Sequence, residues 1–132
     1  MLVNQRRISE RDKPYIIAEL SANHGGNIER AKQSIQMAAK AGVSAIKLQT
    51  YTSDTMTINS NLPDFIVDDG LWAGRTLYDL YSEAHTPFEW HEELFKHACE
   101  HGITIFSTPF DESAVDLLES LNSPAYKIAS FE

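Results

Sequence analysis

Gly-Ile-Thr-Ile-Phe-Ser-Thr-Pro-Phe-Asp-Glu-Ser-Ala-Val-Asp-Leu-Leu-Glu-Ser-Leu-Asn-Ser-Pro-Ala-Tyr-Lys-Ile-Ala, residues 102–129, is the stretch that decides the fold. Ile103-Thr104-Ile105-Phe106 is a β-rich run that ends in Ser107-Thr108-Pro109. Asp111 is placed to cap a helix from about Glu112 to Leu121 that buries Val115, Leu118 and Leu121. Asn122-Ser123-Pro124 breaks that helix, and Ala125 to Ala129 reads as the next strand. Strand, helix and strand in this order predict parallel pairing through a right-handed crossover.

The same alternation extends back to the start of the chain. Tyr15 to Leu20 is an apolar run after Pro14, and Ser21-Ala22-Asn23-His24-Gly25-Gly26 is a turn by composition. Asn27 can cap a helix from Ile28 to Ala41, whose Ile28, Ala31, Ile35 and Ala38 share one face. Gly42 stands where that helix should stop. Ala45-Ile46-Lys47-Leu48-Gln49 is the second strand. A polar connection from Thr50 to about Gly74 follows, and its Phe65, Ile66, Leu71 and Trp72 predict a folded lid or wall. Leu77 to Ala84 reads as a short helix. Thr86-Pro87-Phe88-Glu89 predicts a helix start, with a hydroxyl cap and proline at the first helical position. That helix should run to about His101, with Trp90, Leu94 and Ala98 inward and Cys99 a small buried residue. The predicted fold class is therefore α/β with a parallel sheet, in the order β-α-β-(loop, α)-β-α-β.

Composition narrows the function. The 132 residues (14.9 kDa) carry 19 acidic and 11 basic side chains, a formal charge of −8. So acidic a chain is ill suited to the phosphate backbone of nucleic acid or to an anionic membrane surface. A small anion remains admissible, because local cations can hold it against the global field. With one cysteine no internal disulfide can form. The opening residues lack the apolar core of a secretory signal, and no run approaches a membrane span; the expectation is a soluble protein of a reducing cytoplasm.

In parallel α/β folds chemistry gathers at the carboxyl ends of the strands. Those ends carry Glu19, Asn23 and His24; Lys47, Gln49 and Thr50; Ser107 and Thr108; and Lys127, Ser130 and Glu132. Lys47 and Lys127 each interrupt an apolar run, where an ammonium must be paired. Each reads either as half of a buried ion pair, with Glu19 an obvious partner for Lys47, or as part of a pocket for a carboxylate or phosphate. Glu19 reads as that ion-pair partner or as a carboxylate that moves a proton or orients water. His24 reads as a loop cap or a site residue. His97 and His101, four apart, could share a metal but read better as a solvated helix face, and Trp72 could pack or wall a sugar site.

Residues 16–26 (Ile-Ile-Ala-Glu-Leu-Ser-Ala-Asn-His-Gly-Gly), 46–51 (Ile-Lys-Leu-Gln-Thr-Tyr), 106–110 (Phe-Ser-Thr-Pro-Phe) and 126–132 (Tyr-Lys-Ile-Ala-Ser-Phe-Glu) together resemble the sialic acid synthase family. Those enzymes condense phosphoenolpyruvate with an amino sugar. Ser21-Ala22-Asn23-His24 and the segment Gly70 to Trp90 resemble the branch that uses 2,4-diacetamido-2,4,6-trideoxy-altrose; the neuraminic and legionaminic branches are the alternatives. The resemblance implies a TIM (β/α)8 barrel, with residues 1–132 the N-terminal part supplying about four strands. The second half of the barrel and a C-terminal antifreeze-like domain would lie beyond it. It implies substrate binding by Lys47, Gln49, Thr108, Lys127, Ser130, Asn23 and His24, with Glu19 and Glu132 as the catalytic carboxylates. It further implies a divalent metal (Mn2+, Mg2+ or Co2+) held by histidines on later strands, and a homodimer. The isolated chain would then be an inactive half-barrel that binds anions or self-associates.

Overall fold

The computed structural model describes residues 1–129. The chain opens with a hairpin in which β1 (Leu2–Val3) pairs antiparallel with β2 (Arg6–Arg7). Its turn residues Asn4 and Gln5 both take positive φ, 45° and 65°, as a two-residue hairpin turn requires. No glycine marks this turn, and strands of two residues carry no period, so nothing in the sequence pattern announces it. Asn4 Nδ2 donates to Thr104 Oγ1 at 3.1 Å and Arg6 donates to Ser44 Oγ at 2.6 Å, seating the hairpin against the amino ends of two sheet strands.

The main sheet holds β3 (Ile17–Glu19), β4 (Ala45–Thr50) and β5 (Thr104–Pro109), parallel and in chain order. Between β3 and β4 runs α1 (Ile28–Lys40). Asn27 caps it by accepting from the Arg30 amide at 3.1 Å. Gly42, at φ 75°, lets the chain leave in the left-handed conformation that follows a helix end. Between β4 and β5 lie α2 (Ser53–Met56), α3 (Leu77–Ala84) and α4 (His91–Glu100). After β5 comes α5 (Glu112–Ser120), capped by Asp111, whose carboxylate accepts from the Ala114 amide at 3.0 Å.

Alternation along the strands separates two faces. Ala18, Leu20, Ile46, Leu48 and Ile105 pack with Ala31 and Ile35 of α1 and Leu94 and Ala98 of α4 into one core. Each large aliphatic side chain there contributes roughly 1.5–3 kcal/mol by leaving water. The other face carries Glu19, Lys47, Gln49, Phe106 and Thr108, by register and alternation. Neighbouring strands in chain order, with the core helices on one face, are singly wound. That is the geometry of a barrel wall with a polar interior, not of a doubly wound sheet.

Several expectations are corrected. Pro87 has ψ 137° and stands outside the helix, so Thr86 is no cap; α4 begins after a 3-10 turn, Phe88–Trp90. Thr86 is instead buried beside His24. In α5 the buried residues are Ala114 and Leu118, while Val115 is 39% exposed, because one residue turns the face by about 100°. Cys99 follows the buried Ala98 and is exposed for the same reason. The fourth strand is a single parallel bridge, Ser107 with Tyr126, extended by a bond from the Lys127 amide to the Ser107 carbonyl at 3.1 Å. The long connection is folded, as its apolar residues predict: beyond α2 it forms two 3-10 turns, Pro63–Phe65 and Gly70–Trp72.

Candidate active site

Cross-strand register assembles the polar residues of the inner face. Glu19 lies opposite Lys47, and Gln49 opposite Thr108. Lys47 Nζ sits 2.5 Å from Glu19 Oε1, so the ion-pair reading of this lysine holds. Lys47 is 8% exposed, whereas the Glu19 side chain is half exposed. An ammonium has three donors, and Glu19 Oε1 takes one.

Ser21 follows β3 at φ 46° and donates its hydroxyl to Gln49 Oε1 at 2.9 Å, which orients the amide. Thr108 is 1% exposed, and its hydroxyl has no hydrogen-bond partner among the described residues. A buried hydroxyl left bare costs about 1–3 kcal/mol, so Thr108 calls for a partner beyond residues 1–129. Tyr126 pairs with Ser107 on the helix side, its hydroxyl donating to Glu119 of α5, a bond that pushes the Tyr126 pKa up to about 12. Alternation then sets Lys127 on the face of Lys47, Gln49 and Thr108. Ser130 and Glu132 lie outside the described residues.

Asn23 donates its amide to the Leu20 carbonyl at 2.8 Å and lines the cleft over the strand ends. His24 does not face that cleft. It is fully buried, its Nδ1 accepts from the Gly26 amide at 3.1 Å, and its Nε2 faces Thr86 Oγ1 at 3.3 Å. Its ring stands edge-on to Trp90, 5.4 Å between centroids. His24 is thus a peg that fixes the loop presenting Ser21 and Asn23, which corrects the expectation of a substrate contact.

Behind Thr108 lies a network the sequence reading did not assemble. His91 Nε2 is 2.8 Å from Thr50 Oγ1, which is 2.7 Å from Ser107 Oγ, and all three residues are fully buried. His91 Nδ1 is 3.0 Å from the Pro87 carbonyl, which can only accept, so Nδ1 carries the proton and Nε2 accepts from Thr50. The chain of hydroxyls ties α4 to the carboxyl ends of β4 and β5. The spacing of His91, Leu94 and Ala98, by 3 and 4, was the available signal that His91 belongs to the buried face.

Among the described residues no three His, Cys, Asp or Glu side chains converge as a metal-ligand set, so residues 1–129 offer no donor set for the expected divalent ion. The His97 and His101 rings lie 4.3 Å apart, tilted 41° to each other, with no third ligand among the described residues. The arrangement can bind a small dianion by charge and hydroxyl donation, with a carboxylate alongside.

Comparison with known proteins follows the same outline. The sequence model of the NeuB family matches residues 34–132. The pseudaminic acid synthase of Campylobacter jejuni is 54% identical over 120 residues, 91% of this chain and 35% of that protein. The pseudaminic acid synthase of Helicobacter pylori is 51% identical over 119 residues, 90% of this chain and 35% of that protein. The crystal structure of an N-acetylneuraminic acid synthetase from Leptospira borgpetersenii, in complex with citrate, superposes with TM-score 0.79 at 25% identity, over 97% of this chain and 40% of that one. The chain spans about a third of the length of the curated relatives it matches.

Proposed function

The chain belongs to the NeuB family, and from that premise we propose that it supplies the phosphoenolpyruvate-binding side of a synthase that joins phosphoenolpyruvate to an amino sugar, 2,4-diacetamido-2,4,6-trideoxy-altrose. The observation that carries this reading is the bare, buried Thr108 hydroxyl, in register with Gln49 and on the same face as the Lys47–Glu19 pair. Phosphoenolpyruvate brings a carboxylate and a phosphate, and Lys47, Lys127 and Thr108 are the donors suited to them. The family resemblance adds Ser130 and Glu132 to the set.

The chemistry follows from the residue types. C3 of phosphoenolpyruvate attacks the aldehyde carbon of the open sugar, and the aldehyde oxygen takes a proton. Positive charge develops at C2, where the Glu19 carboxylate offers electrostatic stabilisation. Water adds to C2, and the C2–O bond to phosphate breaks, leaving the keto acid and inorganic phosphate. Lys47 and Lys127 hold the phosphate while it departs. Gln49, fixed by Ser21, and Asn23 face the sugar side. The divalent ion that the resemblance implies draws its ligands from outside residues 1–129.

The test is phosphate release by a protein of the relatives' length that carries this chain. Phosphoenolpyruvate and manganese are supplied with each of three sugars: the diacetamido-trideoxy-altrose, the legionaminic precursor and N-acetylmannosamine. Release with the first sugar is expected. Release with another alone reassigns the branch, and release with none overturns the synthase reading.

A further inference from the structure

A cleft of about 530 Å³ opens over the carboxyl ends of β3 and β4, beside the polar array. Tyr51 forms its base, 5% exposed and edge-on to Tyr81, 5.8 Å between centroids. Leu77, Leu80 and Tyr81 of α3 make one wall, and Trp72 closes it from above. Ser21 and Asn23 make the opposite, polar wall, so the cleft is continuous with Gln49 through the Ser21 hydroxyl.

The apolar wall is built, not left over. Trp72 sits at the tip of a loop whose neck is closed by two backbone bonds, Val67 amide to Arg75 carbonyl and Gly74 amide to Val67 carbonyl, both 2.9 Å. The Thr76 hydroxyl caps α3 by accepting from the Asp79 amide at 3.1 Å. Tyr78 fastens α3 to α2 through Asp54 Oδ1 at 3.0 Å. Glu83, a charged residue of the lining, is held by Arg75 at 2.7 Å. Trp72, braced by this loop, stands at the mouth of an apolar recess, where a ligand entering over the strand ends would meet its indole.

We infer that Trp72, with Leu77, Leu80 and Tyr81, is the specificity wall of the sugar subsite, receiving the methyl groups of acetamido and deoxy substituents while Asn23 and Ser21 meet the polar edge. This rests on the synthase reading for the identity of the ligand. A plain hexose offers this wall hydroxyls that it cannot pair, whereas a diacetamido-trideoxy sugar offers three methyl groups. A wall of this kind discriminates by about tenfold or more per apolar group.

The experiment uses a protein of the relatives' length and two readouts. In the first, Trp72→Ala is expected to raise the KM for the diacetamido-trideoxy sugar about tenfold, leave the KM for phosphoenolpyruvate within twofold, and narrow the preference over N-acetylmannosamine. In the second, the sugar is titrated without phosphoenolpyruvate while indole emission is followed. A saturable blue shift is expected in the parent and not in Trp72→Phe. Turnover with an unchanged sugar KM in Trp72→Ala and no emission change overturns the wall. Emission that titrates in a protein releasing no phosphate keeps the wall and overturns the synthase reading. Neither emission change nor turnover overturns both.

Discussion

Lys47→Met lowers kcat/KM for phosphoenolpyruvate by roughly two to three orders of magnitude, through KM first. Losing one partner of a buried, hydrogen-bonded charge contact costs about 2–5 kcal/mol, and each 1.4 kcal/mol is about tenfold. The lysine is 8% exposed and already bound to Glu19 at 2.5 Å, so its amine is fixed before any substrate arrives. The sugar KM should move far less. A purely structural lysine makes a different forecast: Lys47→Met with Glu19→Gln would restore parental kinetics, because no charge is then left unpaired. In the anion-site reading the double variant is at least as impaired as Lys47→Met, loss of the Glu19 carboxylate adding its own cost in kcat, while Lys47→Arg regains part of the loss. Steady-state kinetics of the four proteins decide it, and a phosphoenolpyruvate KM within threefold of the parent in Lys47→Met removes the lysine from the site.

The second large effect is on stability in mild acid. Burial pushes the pKa of His24 below the ordinary histidine value of 6.5, with the nearby His85 charge adding to it. Burial does the same to His91, against the opposing pull of the Pro87 carbonyl. Geometry also locks the His24 ring neutral, because a proton on its Nδ1 would meet the Gly26 N–H. Unfolded histidine takes up its proton near pH 6.5, but the folded rings do not. Below that pH the unfolded state therefore binds more protons, and stability falls as pH drops, until the depressed folded pKa values are reached. The limiting slope is about 1.4 kcal/mol per pH unit for each ring, so stability should fall between pH 7.5 and 5.5. Asp12, whose pKa the Arg7 guanidinium lowers, titrates only in stronger acid and does not enter this window. Urea unfolding at the two pH values measures the loss. His24→Asn and His91→Asn should each remove about half of it, and an undiminished pH dependence in both variants would refute this origin.

Two helix caps and the order of the strands were legible in the sequence. Asn27 and Asp111 cap as their side chains suggest. The run Ala45 to Gln49 pairs with its neighbours as a parallel strand, and the order of strands follows from the alternation. The pairing of Glu19 with Lys47 was also legible, because a lysine inside a parallel strand must find an anion. Other features depend on contacts between distant segments, which no local pattern carries. Thr86 looks like a cap in sequence and is drawn into the interior by His24, sixty-two residues away. Tyr51, Trp72 and Tyr81 come together only when the connection after β4 folds back over the strand ends. His91 reads as one more helix histidine until Thr50 and Ser107 are brought beneath it. The terminal strand is reduced to one parallel bridge, Ser107 with Tyr126, which its apolar run does not foretell.

The most direct test of the central claim is a crystal structure, at the relatives' length, with phosphoenolpyruvate and manganese bound. The expected result is a carboxylate or phosphate oxygen of the ligand within about 3.2 Å of Lys47 Nζ, of Lys127 Nζ and of the Thr108 hydroxyl. A ligand seated elsewhere, with the Thr108 hydroxyl still bare and Lys47 bound to Glu19 alone, would contradict it.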